Sequence, residues 1–316
     1  MKRFVFPVID IVLATYNGEL YLKEQIDSIL SCDNFDELVN TIIISDDNSK
    51  DSTKDIIFSY NHPKIKFVTN KASSGVISNF SNGISFTKSQ YVVFSDQDDV
   101  WKKDKLIILF DGIKKLDIND KPSLFFTDLN VVDENLNILA DSFWESQNIN
   151  PFGYEKIETL LFQNVSPGCV MICNRQLLDI AYPFPSKIMM HDWWLLLIAR
   201  AVGNIAFSNK KTILYRQHGH NVIGAKNMDI VTKITRLITN KADTFVKTIE
   251  QAKELDKRLG ECFIKNDTVK SFSTIDELSV FNRMKIAISF KLKGQNYQRT
   301  VLLYIRLLFL KKSNKY

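Results

Sequence analysis

An α/β fold on a largely parallel sheet is what this sequence predicts, and three observations predict it. Short apolar, β-branched runs alternate with stretches of helical spacing through residues 8–94. The runs are apolar throughout rather than at every second position, the signature of strands covered on both faces. Each run ends in a cluster of Asn, Asp, Ser, Thr or Gly, and ligand sites in such sheets gather at the carboxyl ends of the strands.

The elements follow in order. Residues 8–14 form a first strand, and 19–31 a helix with Leu22, Ile26, Ile29 and Leu30 at helical spacing. Residues 41–45 are a second strand, 52–60 a helix, 65–69 a third strand, 76–87 a helix and 91–94 a fourth strand. Beyond them the pattern mixes. Residues 124–132 and 169–173 suggest strands, and 193–199 a strongly apolar helix that stops near Gly203. Residues 213–218 suggest a short strand. From about Met228 the chain turns helical, with Phe245, Ile249, Ala252, Leu255 and Leu259 on one face. Residues 1–7 resemble a signal peptide only briefly. Asp10 interrupts the apolar run and no small-residue cleavage site follows, so this segment is the lead-in to the first strand.

Composition narrows the class. The chain has 316 residues, 45% apolar and 24% charged, ordinary for a globular protein. A net charge of +5 is too small to argue for nucleic acid. Cys32, Cys169, Cys173 and Cys262 show no metal-type spacing and no disulfide framework, which suits a reducing cytoplasm. No stretch has the length of a transmembrane helix.

If the fold is as read, four polar loops share one rim: residues 15–19, 46–53, 70–75 and 95–99. Each alone could be ordinary turn chemistry. The fourth holds Asp96, Asp98 and Asp99. Carboxylates this close repel unless a cation lies between them, and a hard divalent ion of the Mg²⁺ type commonly brings phosphate with it. A solvated turn is the alternative. Trp101 just beyond is a packing anchor or a platform for a sugar ring.

Residues 10–18 (DIVLATYNG), 45–53 (SDDNSKDST) and 94–101 (FSDQDDVW) occur in the order and at the separations seen in glycosyltransferase family 2. The chain resembles the bacterial rhamnosyltransferase-like enzymes of O-antigen and capsular polysaccharide synthesis, over residues 8–221. The resemblance implies the GT-A fold, a mostly parallel sheet flanked by helices, for residues 1–222. Their donor half is about 1–101 and their acceptor half about 102–222, and 223–316 form a helical extension. It implies inverting transfer of a sugar from a nucleotide-diphospho-sugar, dTDP-rhamnose or a UDP-sugar, to a hydroxyl of a lipid-linked glycan, with Mn²⁺ or Mg²⁺ as cofactor.

The family pattern places Thr15, Tyr16 and Glu19 in the loop that cradles the nucleotide. Asp46 or Asp47 would read the base, a helix N-cap being the other role for that loop. Gly75 and Asn79 would line the nucleotide pocket, and Asp98 would hold the metal with Asp96 nearer the donor. Asp192 matches the family's general base, the carboxylate that takes the acceptor proton; without the resemblance it reads as a helix N-cap. The family commonly has an acid at the preceding position. His191 stands there, able to orient the acceptor or simply packed. Arg216 is a candidate phosphate contact and His218 a further metal ligand. Gly168, within the small-residue segment 166–169, would let a sugar approach the backbone.

Residues 286–316 mix basic and large apolar residues, and 300–310 could be an amphipathic helix on the inner face of the plasma membrane or one packed on the protein with its lysines in water. The rival readings are a nucleotide-binding module without catalysis, a partner protein in polysaccharide assembly, and nucleotidyl transfer, for which the chain lacks a Gly-rich phosphate loop with a lysine.

Overall fold

The structure, a computed structural model, describes residues 7–217 and 241–312. Strands β1 (Ile9–Thr15), β2 (Val39–Asp46), β3 (Ile65–Thr69) and β4 (Tyr91–Ser95) pair in parallel in the order β3-β2-β1-β4. Helices α1 (Leu22–Leu30), α2 (Thr53–Ser59) and α3 (Val76–Ile84) make the crossovers. Strand residues alternate between two cores, which explains why the runs are apolar throughout. Val12, Val92 and Phe94 face one cluster, whereas Ile9, Ile11, Leu13 and Val93 face the other.

Past β4 the sheet is mixed. β5 (Val100–Trp101), β6 (Ser123–Val132), β7 (Ile138–Ala140), β8 (Met171–Asn174) and β9 (Asn204–Arg216) complete it. β8 lies antiparallel between β4 and β6, β9 runs parallel to β6, and β5 pairs antiparallel with the end of β9. Helix α4 (Lys105–Leu116) follows β5. The expected short strand at 213–218 is the end of a 13-residue strand. Its first part carries Ser208, Asn209, Lys210 and Lys211, polar enough to hide the strand pattern. At the expected strand 169–173, a 3₁₀ turn (Gly168–Val170) precedes β8.

The apolar helix is α6 (His191–Val202), after α5 (Arg175–Ala181). The C-terminal helices are α7 (Lys241–Glu261), α8 (Asp267–Ser273), α9 (Val280–Ser289) and α10 (Tyr297–Phe309). Phe245, Ile249, Ala252, Leu255 and Leu259 are buried, in the same core cluster as Trp194 to Ala199 of α6. No helix among the described residues is long and apolar enough to cross a membrane.

Candidate active site

Register brings the strand ends level: Thr15 lies opposite Asp46, and Asp46 opposite Thr69. The loops leaving them are bound to one another. Gln97 Oε1 accepts from Thr15 Oγ1 (2.7 Å) and from the Tyr16 amide (2.8 Å), while its Nε2 donates to the Tyr16 carbonyl. Glu19 accepts from the Ser52 amide (3.0 Å), and Asp51 from the Glu19 amide. Asp46 is fully buried and turned onto Ser49, whose amide and hydroxyl it accepts. Asp47 accepts from Asn70 Nδ2 and the Gly75 amide, both at 2.8 Å. Asn79 donates to the Thr15 carbonyl and accepts from Ser45 Oγ. Gly75 has φ +130°, a backbone state that side chains rarely adopt. Of the expected nucleotide residues, then, Asp46, Asp47, Glu19 and Asn79 each brace a loop, and Tyr16 lies open at 55% exposure.

The fourth loop is strapped between β4 and β5. Asp96 and Asp98 are partly exposed, whereas Asp99 is buried. One Asp99 oxygen accepts from the Arg216 amide (3.2 Å); the other is buried with no partner. Ligand atoms of Asp96, Asp99 and Cys169 all lie within 4.8 Å of one another. Burial and the negative charges of Asp98 and Asp192 push the Asp96 carboxyl up to about 7, against the pull of Lys105. Burial with Asp98 and Asp96 pushes Asp99 up as well.

Lys105, absent from the sequence-based expectations, sits under this cluster. Its side chain is fully buried, its Nζ donates to the Cys169 carbonyl at 2.5 Å and stands 3.6 Å from the Trp101 ring centroid. Burial holds its ammonium down at about 7. Its signal was present: Lys105, Leu109 and Ile113 recur every four residues, so the buried face of α4 includes the lysine. The ligand atoms drawn together here are those of Asp96, Asp99 and Cys169, with Asp98 beside them. Asp96 and Asp98 offer partly exposed carboxylates whose repulsion a hard divalent cation relieves, while the lysine faces the buried side, toward Asp99.

Asp192 approaches from α6. It is buried, and its Oδ1 accepts from Asn164 Nδ2 (3.1 Å) and the Trp193 amide. Burial pushes its carboxyl up to about 7, opposed by hydrogen bonds from Trp193, Gly168 and Asn164. Asp192 Cβ stands 3.4 Å from where a Cβ at Gly168 would lie, and the next residue, Cys169, reaches Asp96, so the two carboxylates flank one segment. Asn164, which holds the Asp192 carboxylate, carried no motif signal.

One expectation is corrected, for Arg216, and two open alternatives, for Trp101 and His191, are resolved. Trp101 is 3% exposed and packed in the core over Lys105, so it is an anchor and not a sugar platform. Arg216 is not a free phosphate ligand. Its guanidinium binds Glu24, the Glu134 carbonyl and the Asp98 carbonyl (Nε, 2.9 Å), and stacks 4.5 Å from the Tyr21 ring centroid. It holds the acidic loop in place. His191 is packed: its ring stacks on Phe80 at 3.9 Å, and burial holds it near 3, neutral at physiological pH, with both nitrogens unpartnered. A Cβ at Gly168 would stand 2.5 Å from His191 Nε2, so the histidine ring itself requires glycine there. His218 lies outside the described residues.

Comparison with known proteins places this geometry in context. A family model described as "Glycosyl transferase family 2" matches residues 10–173. The chain is 30% identical over 243 residues to the dTDP-rhamnosyl transferase RfbG of Shigella flexneri, covering 71% of this chain and 78% of the relative. It is 25% identical over 205 residues to the UDP-Glc:alpha-D-GlcNAc-diphosphoundecaprenol beta-1,3-glucosyltransferase WfgD of Escherichia coli, covering 64% and 73%. Among solved structures, S. aureus TarS 1-349 in complex with UDP-GlcNAc superposes with a TM-score of 0.58 at 16% identity, over 90% of this chain and 73% of that one. The mannosyltransferase PcManGT from Pyrobaculum calidifontis, in complex with GDP-Man and Mn2+, gives 0.51 at 15%, over 95% and 79%. These likenesses show a shared fold.

Proposed function

The chain belongs to glycosyltransferase family 2, and from that premise we propose that it moves a sugar from a nucleotide-diphospho-sugar to a hydroxyl of a growing, lipid-linked cell-surface glycan, with inversion. The observation that carries this reading is the meeting of a partly exposed carboxylate pair, Asp96 and Asp98, with a buried carboxylate held near neutrality, Asp192. A base whose pKa lies near the working pH is both deprotonated often enough and strong enough to accept a proton.

Asp192 takes the proton of the acceptor hydroxyl as that oxygen attacks the anomeric carbon. The bond from that carbon to the diphosphate breaks, and the nucleoside diphosphate leaves with the electron pair. Attack opposite the leaving group inverts the anomeric centre. Asn164 and the Trp193 amide fix the carboxylate's direction. Asp98 and Asp96 would hold Mn²⁺ or Mg²⁺, which when bound offsets charge on the diphosphate. The donor-side rim, with Thr15, Tyr16, Asp47 and Gly75, receives the nucleotide. The RfbG relative favours dTDP-rhamnose, with UDP-sugars the alternative that the WfgD and TarS proteins bring. WfgD's named acceptor supports a lipid-linked one here.

Thermal shift with Mn²⁺ across dTDP-rhamnose, UDP-glucose, UDP-N-acetylglucosamine and GDP-mannose tests the reading. A true donor at about 100 times its Kd adds about 2.7 kcal/mol to folded-state stability, and the same donor then gives nucleoside diphosphate and a glycoside in a turnover assay. If no nucleotide-sugar raises the midpoint, the reading fails.

A further inference from the structure

The chain's positive charge is not spread evenly. From Leu278 to the last residue there is no Asp or Glu, but there are nine basic residues: Arg283, Lys285, Lys291, Lys293, Arg299, Arg306, Lys311, Lys312 and Lys315. Since the whole chain is +5, the preceding residues carry a net excess of carboxylates. The basic stretch is therefore a local feature, and its structure sorts the charges into two groups.

The arginines serve the fold. Arg283 is buried and donates to the carbonyls of Ile275 (3.0 Å), Asp276 (3.1 Å), Leu307 and Leu310, tying α9 to the end of α10. Arg299 donates to the carbonyls of Gln147 and Asn148, fixing the start of α10 to the acceptor half of the chain. The lysines serve nothing inside. Lys285, Lys291, Lys293, Lys311 and Lys312 are all exposed. They lie on α9, in the turn that follows it, and just after α10.

Between them lies an apolar surface that faces outward. Leu303 and Leu307 seat α10 on the core. Its opposite stripe is Tyr297, Val301, Ile305, Leu308 and Phe309, and Tyr297 and Phe309 are 83% and 81% exposed. At 100° per residue these five fall within about one third of the helix circumference. On α9 the exposed line is Phe281, Lys285 and Ile288, with Phe281 at 78%. Scattered exposed apolar residues need no explanation, but a stripe of five on one helix, with Phe281 and Ile288 exposed on the helix packed beside it, does.

We propose that this α9–α10 face docks on an anionic lipid surface. Large apolar side chains enter the headgroup region while lysines around them meet lipid phosphates, the arrangement of interfacial helices. Charge complementarity selects lipid over a second copy of this chain: two such faces would bring together ten exposed lysines and no carboxylate from this segment. Membrane docking rests, for its purpose, on the reading of a lipid-linked acceptor. It would hold the acceptor half against the surface where such a substrate is presented.

The test is co-sedimentation of the full chain with vesicles of phosphatidylcholine plus phosphatidylglycerol, and with phosphatidylcholine alone. Binding is expected to the anionic vesicles and to weaken as salt is raised. A variant with Phe281→Ser, Tyr297→Ser and Phe309→Ser should lose at least about tenfold in partitioning, and so should one with the five exposed lysines changed to Gln. Both change only exposed side chains, and both should retain wild-type turnover on a soluble acceptor. Absence of binding to anionic vesicles, or variants that bind as the wild type does, would overturn the proposal. So would a dimer that the serine variant dissociates, without vesicle binding. Vesicle binding by a chain that turns over no nucleotide-sugar would leave the docking face standing and defeat the enzymatic reading instead.

Discussion

The donor-side rim and the floor of the site are built from similar residues and treated oppositely. On the rim, polar groups satisfy one another: Asp46 with Ser49, Asp47 with Asn70 and Gly75, Glu19 with Ser52, and Asn79 with Thr15 and Ser45. On the floor, Asp96, Asp99 and Asp192 are crowded, partly unpartnered and pushed up, with one buried lysine among them. Satisfied polar groups make a rigid cradle, whereas crowded carboxylates, with Asp99 holding one unpartnered oxygen, are left to meet substrate, metal or proton. Strongly displaced groups mark the reactive part of a site for this reason.

That contrast predicts which substitutions hurt function and which hurt the fold. The largest effect is expected at Asp192. Asp192→Asn should lower kcat by about 10²–10⁴-fold, the usual worth of a general base, with donor affinity by calorimetry unchanged. Near-normal turnover would move the base elsewhere. Next comes the rim. Asp47→Ala leaves the Gly75 amide and Asn70 short of an acceptor and should cost about 1–3 kcal/mol in urea denaturation. A neutral result there would show that the rim is not braced as described.

Asp98→Ala should weaken donor binding in the presence of Mn²⁺ by at least about tenfold, no less than losing an outer-sphere ligand contact costs, and abolish its metal dependence. Unchanged metal dependence in calorimetry removes Asp98 from the metal site. The smallest effect is opposite in sign. Asp96 is raised when folded, so its contribution to stability is present below about 4 and is lost as pH rises through about 7. Asp96→Asn should therefore raise the metal-free midpoint at pH 8 by roughly 2–4 °C, with no gain near pH 4. A lowered midpoint at pH 8 would mean that Asp96 is better satisfied than its surroundings indicate.

How much of this was legible in the sequence differs between the same two regions. The parallel half was readable because β1, β2 and β4 are covered on both faces and show near-continuous apolar runs, separated by helical stretches. Its loops were readable as a rim because parallel strands bring their carboxyl ends together, as the level ends of β1 to β3 show. Beyond β4, β8 is legible as an apolar run although a 3₁₀ turn precedes it, whereas β9 begins in a polar stretch and does not show the pattern of a covered strand. The site's carboxylates could be named from motifs, but their supports could not. Lys105 reaches Cys169 across 64 residues and Arg216 reaches Glu24 across 192. Such partners come together only through strand order. Arg216 was misread because a guanidinium beside a site is often bound to the protein itself.

The most direct test is the pH dependence of kcat/KM at saturating Mn²⁺, with donor and acceptor well below their KM. With Asp192 as the base, the rate should fall below a pKa of about 7, tenfold for each pH unit, because protonation removes the base. Above that value it should level off. A rate that stays flat down to about pH 5, as an ordinary solvated carboxylate would allow, would contradict the account.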